Sequence, residues 1–529
     1  MRDLLDAVHY ATWVLPALLL IPLVGAVLIG VFCRPAIHPE TEEEFVDGGR
    51  VRGIAMGTLL VEAAVSAGLW WSFEPAAVGW QSRVDLPWIS DWGARFTLGI
   101  DGISLFMVLL TTFLMPLALM GDWTAVRTKL RTHYALLLVL TTGMVGVFVT
   151  LDLLLFYVFW ELMLVPMYFI IGMWGGERRQ YASVKFFLYT MFGSLLMLIA
   201  IIWLWAGTGA TSFGYEHILA NYRHTGSPTF WLFGAFFLAF AIKVPLFPFH
   251  TWLPDAHVEA PTTGSVILAG VMLKMGTYGF LRFALPLFPQ AAMHPTVRAL
   301  ILGLAVVSIV YGALVAMVQP DLKKLVAYSS VSHLGFVILG IFALTTQSVQ
   351  GALMVMVSHG ISTGALFLMI GMLYERAHTR EIAKFGGIAR SVPMFTAFFQ
   401  LVAPSSIGLP GTNGFVGEFL TLLGAYRTAP LFVLVASSGV IFAAAYLLWG
   451  VQRVLFNPVN GESNATLVDL NRRELAVVSV FAVAILWLGL APGPVLRRME
   501  PAAARLVQQV ERGAVVAAVP ETPAVVRQP

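Results

Sequence analysis

Fourteen stretches of this 529-residue chain stay mostly apolar for about 20 residues, the length a helix needs to cross a membrane core of about 30 Å. Nothing else in the sequence limits the fold as strongly. A segment that crosses lipid must satisfy its own backbone N–H and C=O groups, and a helix does so within itself. The windows include 152–174, 181–206, 229–253, 260–284, 323–342, 348–374 and 393–427. They predict an all-α polytopic membrane protein with about 14 transmembrane helices. Charge scarcity agrees. Only 12% of residues are charged, against about 25% in soluble domains, too few to cover a chain this long in water. The first run, Ala11 to Cys33, exceeds a signal-peptide core of about 7–15 residues and carries no small-residue cleavage site, so it reads as a retained span.

A single cysteine, Cys33, excludes an internal disulfide, a thiolate-held iron–sulfur cluster and a cysteine zinc site. Neither glycine-rich nucleotide loop occurs. A net charge of +3 with scattered basic residues argues against a nucleic-acid partner. The surroundings expected are the lipid bilayer and other membrane proteins, with no cofactor and no metal in this chain.

Lys and Arg in the connections set orientation. One alternating set of connections holds seventeen and the other seven, with five more in the tail. The richer set is expected on the cytoplasmic side of a cell (inner) membrane, with both termini on the extracytoplasmic side. Trp80 to Phe96, with Asp85, Pro87 and Gly93, is expected to form a short extracytoplasmic hairpin.

Two windows are abnormal. Residues 393–427 would make a helix of about 52 Å, and they contain Pro404, Gly408, Pro410, Gly411 and Gly414. The window 229–253 carries Pro245 and Pro248 just after Lys243. Both are expected to be broken helices, tolerated at membrane depth where the freed backbone is buried in protein or lines a water cavity, and paired breaks point to an ion or substrate site. They fall in helices 7 and 12, five apart, and a five-helix unit repeated in sequence must emerge upside down. The expected organisation is helices 1–3 with the hairpin over 1–131, a first repeat (helices 4–8) over 132–284 and an inverted second repeat (helices 9–13) over 296–456. Helix 14 follows over 473–493, and a tail over 496–529 holds an amphipathic helix from Arg497 to Arg512 before a disordered stretch.

Ionisable side chains deep in a membrane are costly, at least about 2.5–3.5 kcal/mol each, and mark function by default. Glu161 sits about 14 Å into its span, Lys243 about 21 Å and Lys274 about 18 Å. His333, after Tyr328-Ser329-Ser330-Val331-Ser332, and His359, after Ser358, suit a proton relay near neutral pH. A lone histidine pair argues little for haem. Glu418 follows the break in helix 12, as the repeat counterpart of Lys243. Lys185 is near enough to a membrane end to snorkel, and Glu62 is mid-span without an evident partner. His250, Asp255, His257 and Glu259 resemble metal ligands but flank the helix 7–8 connection, and read as a gate or entrance network.

These residues carry a resemblance. The run Lys243-Val-Pro-Leu-Phe-Pro-Phe-His-Thr-Trp-Leu-Pro-Asp-Ala-His-Val-Glu-Ala-Pro-Thr with Gly270-Val-Met-Leu-Lys274, together with Phe159-Trp-Glu161, Ala327-Tyr-Ser-Ser-Val-Ser-His333 and Asn413-Gly-Phe-Val-Gly-Glu418, resembles the antiporter-like subunits of respiratory complex I. Those are similar in turn to the large subunits of sodium/proton antiporters. The resemblance spans roughly residues 100–460. Glu418 matches the M-type branch, where L- and N-type subunits carry lysine. It implies two half-channels joined by a buried Lys/His/Glu axis of Glu161, Lys243, Lys274, His333, His359 and Glu418. It also implies L-type and N-type antiporter-like neighbours, with FMN, iron–sulfur clusters and quinone held in partner subunits. The chain would then be a non-redox, proton-translocating subunit of NADH:quinone oxidoreductase, not catalytic alone. A cation/proton antiporter subunit and a membrane scaffold without an ion path are the alternatives.

Overall fold

Lipid-length apolar windows become helices here, as backbone saturation demands. A computed structural model describes residues 1–33, 36–37, 44–45, 47–121, 123–222 and 227–518. Helices α1 (Tyr10–Phe32) and α2 (Gly48–Ser72) are followed by strands β1 (Gln81–Ile89) and β2 (Ala94–Ile100), which pair antiparallel. Then come α3 (Gly102–Gly121), α4 (Leu130–Val149), α5 (Leu153–Trp174) and α6 (Arg179–Gly207). A short pair follows, α7 (Ser227–Lys243) and α8 (Trp252–Glu259). After it run α9 (Thr262–Leu287), α10 (Pro295–Met317), α11 (Leu322–Ala343) and α12 (Thr346–Ala377). A second short pair is α13 (Pro393–Ile407) and α14 (Asn413–Tyr426). The chain closes with α15 (Pro430–Phe456), α16 (Arg472–Leu490) and α17 (Gly493–Ala518). Among the described residues, twelve continuous helices are long and apolar enough to cross a membrane.

Both breaks expected from proline and glycine are present. Helix α7 stops at Lys243 and α8 resumes at Trp252. Helix α13 ends on Gly408, whose φ of +82° suits glycine, and α14 begins at Asn413. The charged residues take different places: Lys243 is the last residue before its break, whereas Glu418 lies beyond its own. Helix α5 is also interrupted, at Met163, between the segments Leu153–Leu162 and Leu164–Trp174. Pro166 offers no N–H to the carbonyl of Leu162, and this loosens the turn beside Glu161.

Helices α9, α11 and α12 form the centre. Every residue from Thr263 to Pro289 and from Gly351 to Leu373 is buried. Outer helices such as α15 and α16 turn large apolar side chains outward, among them Leu434, Ile441 and Val483. Carboxylate and hydroxyl caps hold helix starts: Asp152 accepts from the N–H groups of Leu154 and Leu155 at 3.0 Å each, and Thr345 and Ser348 form a capping box on α12. The tail forms an amphipathic helix longer than its expected range. Met499, Ala503, Leu506 and Val510 of α17 are buried, and Arg498 and Arg505 donate to the carbonyls of Trp70 and Ala77. The end of the expected disordered stretch, 519–529, lies outside the described residues.

Candidate functional site

Three of the expected residues stand on the three central helices. Lys274 of α9 is fully buried. Its Nζ donates to the Ala269 carbonyl and lies 2.7 Å from His359 Nδ1 of α12. A π-helical turn over Leu268–Met272 precedes it, and such turns leave carbonyls open to side-chain donors. An ammonium can only donate, so while Lys274 is protonated His359 Nδ1 accepts and the neutral ring carries its hydrogen on Nε2. The His359 and His333 rings lie 5.9 Å apart between centroids. His333 Nδ1 lies 2.8 Å from Glu418 Oε1, and its Nε2 lies 3.4 Å from the Tyr446 hydroxyl. Lys274, His359, His333 and Glu418 therefore stand in one buried row.

A cavity of about 20 Å³ adjoins the row, lined by His333, Ser358, His359, Ser406 and Glu418 among others. That volume admits one water. His359 Nε2 and Ser406 Oγ have no hydrogen-bond partner among the described residues, so the cavity is polar where it meets the row.

Glu161 and Lys243 form a second group. Lys243 Nζ sits 5.5 Å from the ring centroids of both Trp160 and Phe186, and the charge of Glu161 reaches it. Ser194 of α6 faces the Glu161 carboxyl. Among the described residues, no ion pair within 4.0 Å joins Glu161 to Lys243.

The expected entrance group divides. Lys185 binds Asp255 at 2.7 Å, so it is paired rather than reaching for the surface. His250 packs among Phe247, Tyr311 and Tyr328. His257 is fully buried, stacked on Phe367 with centroids 4.6 Å apart, and the charges of both Lys323 and Lys274 reach it. Glu259 accepts from the Arg178 N–H and borders a cavity of about 690 Å³ with Trp174, Lys323, Tyr374 and Arg380. Among the described residues, no three His, Cys, Asp or Glu side chains gather as a metal site.

Two basic residues that sequence assigns to membrane ends prove to be interior. Lys323 is only 6% exposed and donates to the Ala260 carbonyl. Arg282 is only 5% exposed and pairs with Asp101 at 2.6 Å. Each lies at the edge of an apolar window, where position along the chain does not reveal which way a side chain turns. Tyr446 and Ser194 were equally hidden, being ordinary residues in apolar spans. Glu62 is buried away from these groups, and neither of its oxygens has a partner among the described residues.

Comparison with known proteins follows this geometry. The family described as NADH:quinone oxidoreductase/Mrp antiporter, TM, matches residues 150–443. The chain is similar to NADH-quinone oxidoreductase subunit M of Rhodobacter capsulatus, 46% identical over 498 residues that cover 92% of this chain and 95% of that one. It is also similar to NADH-ubiquinone oxidoreductase chain 4 of Marchantia polymorpha, 40% identical over 93% of this chain and 97% of that one. Its fold superposes on a chain of respiratory complex I from Thermus thermophilus with bound NADH. The TM-score is 0.83 and the identity 33%, over 94% of this chain and 99% of that chain.

Proposed function

This chain belongs to the NADH:quinone oxidoreductase/Mrp antiporter transmembrane family, and from that membership and the buried Lys–His–Glu row we propose that it moves protons as an M-type, non-redox membrane-arm subunit of NADH:quinone oxidoreductase. The neighbours are L-type and N-type antiporter-like subunits, and electrons travel in partner subunits that hold FMN, iron–sulfur clusters and quinone. The membrane is the cell (inner) membrane, and the face carrying β1 and β2 is extracytoplasmic, as is each terminus.

The single observation that carries this reading is the unbroken row Lys274–His359–His333–Glu418. Each member can hold a proton, and adjacent members lie within direct or one-water reach. Protons arrive through the 690 Å³ cavity on the basic, cytoplasmic face, pass Lys323 and His257, and reach Lys274. Glu161 and Lys243 act as the control. A carboxylate close to a buried ammonium favours its charged form, and separation of the two disfavours it. Moving Glu161 relative to Lys243 therefore shifts charge at the start of the row and drives its proton toward Glu418.

The test is substitution in the assembled complex. Lys243→Ala or Glu161→Ala is expected to lower proton pumping and coupled quinone reduction by about tenfold, a barrier change of about 1.4 kcal/mol, while the subunit still assembles. Pumping at the parental level in assembled complex would overturn the relay.

A further inference from the structure

Helices α2, α3, α12 and α16 leave a groove between them that the relay does not use. It is an open cavity of about 620 Å³, walled by Ala67, Trp70, Phe113, Ile361, Ala484 and Trp487 among others. Ser66 and Thr112 also border it, with their hydroxyls turned to each other at 2.6 Å, so the wall is apolar in effect. Along α16 the lining runs from Ser479 to Leu488, about 14 Å. That is about half of a hydrocarbon core of about 30 Å, the depth of one leaflet. The inner end lies against the back of α12. Val357 and Ile361 line it there, two residues either side of His359, and a two-residue step turns a side chain to the far side of a helix.

The outer end is different in kind. Trp70 and Trp487 rim it with their rings edge to face, 5.9 Å apart, and tryptophan near the end of a span marks headgroup level. Helix α17 starts at this rim. Arg498 sits over the Trp70 ring, 4.0 Å from its centroid, and donates to the Pro494 and Trp70 carbonyls at 3.0 and 3.4 Å. A guanidinium has five N–H groups, so donors are left over. Arg497 beside it is exposed, and its charge reaches Arg498. Among the described residues, neither arginine forms an ion pair with a carboxylate within 4.0 Å. Two adjacent cations without a carboxylate favour an anion, and guanidinium suits phosphate through paired hydrogen bonds.

We propose that this groove holds one acyl chain of an anionic phospholipid, drawn from the leaflet on the β1–β2 side, with its phosphate on Arg497 and Arg498. Each part of the lipid meets its match: the chain an apolar slot one leaflet deep, the phosphate a cationic mouth at headgroup level. A helix of a neighbouring subunit would fill the slot without answering the two charges. The inference is independent of the proton relay.

The test uses the purified complex in vesicles doped with a phosphatidylglycerol that carries a photoactivatable diazirine on one acyl chain. The phosphatidylcholine analogue is run in parallel, and peptide mass spectrometry of this chain locates the adducts. Phosphatidylglycerol is expected to label α2 and α16 beside the groove severalfold more than phosphatidylcholine. The variant A67L/A484L grows side chains into open space and is expected to abolish that labelling. R497Q/R498Q is expected to bring phosphatidylglycerol down to the phosphatidylcholine level. Should that pair hinder assembly, Arg497→Gln alone, at an exposed position, is expected to lower the ratio at least twofold. Equal labelling of the parent by the two lipids overturns the phosphate contact. Labelling that survives A67L/A484L puts the chain outside the groove, and unlabelled helices mean that a partner subunit closes it. Either result overturns the proposal.

Discussion

Glu418 closes the buried row through a carboxylate oxygen 2.8 Å from His333 Nδ1, a contact that an amide of the same shape can imitate but not titrate. Glu418→Gln is therefore expected to keep the hydrogen bond and lose pumping, by about tenfold or about 1.4 kcal/mol of barrier. Glu418→Asp is expected to retain much of the activity, because the acid remains and only a methylene is lost. Dye-monitored pumping beside quinone reduction separates the two, and equal activity in both variants would remove Glu418 from the path. At this scale much of the site was legible in the sequence. A lone carboxylate or ammonium in an apolar window, such as Glu161, Lys243 or Lys274, is too costly to be accidental. Tyr446 and Ser194 were not legible, since a hydroxyl in a membrane helix usually bonds its own backbone. Arg282, Asp101 and Lys323 sit at window edges, where burial depends on neighbouring helices and not on the residue itself.

At the scale of elements, α12 and α14 meet backbone to backbone. A Cβ on Gly417 would stand 2.6 Å from the Val355 nitrogen, and Gly351 and Gly424 approach the facing helix as closely. This contact places Glu418, one residue from Gly417, against His333 of α11. Gly417→Ala is expected to push α14 away at a cost of about 1–3 kcal/mol. The His333–Glu418 contact should lengthen, and the melting temperature of the purified complex should fall. A density map of the variant with that contact unchanged would show that Glu418 is held by something else. The broken elements were foreseeable, because proline and glycine deny helical backbone its partners. The interruption of α5 at Met163 and the π turns of α9 were not. They depend on how neighbouring helices take up the loosened carbonyls.

At the scale of the whole molecule, the cavity of about 690 Å³ beside Glu259 and Lys323 and the β1–β2 hairpin lie at opposite ends of α9. Thr262 borders the first, and Arg282 faces the second. Basic connections cluster on the side of that cavity, which is the basis for proposing that it faces the cytoplasm. The sole cysteine, Cys33, is only 3% exposed, so an introduced thiol can report sidedness. Val78 is 89% exposed next to the hairpin. Val78→Cys is expected to react with a membrane-impermeant maleimide in right-side-out vesicles and to be protected in inverted ones. The reverse pattern would turn the molecule over and exchange its proton inlet and outlet. Co-purification with the NADH-oxidising and quinone-binding partners is the companion expectation.

Charge scarcity, window length and the placement of proline and glycine were enough to determine a polytopic helical chain, its two interrupted helices and the few deep residues that carry charge, because each follows from the cost of exposing polar groups to lipid. Tertiary structure alone decided which of those residues meet. Lys274 finds His359 and His333 finds Glu418 across 85 positions of sequence in each case, and Arg282 finds Asp101 across 181. Such contacts depend on how close two helices can approach and on which side chain is small enough to let them. No single window of sequence contains both partners.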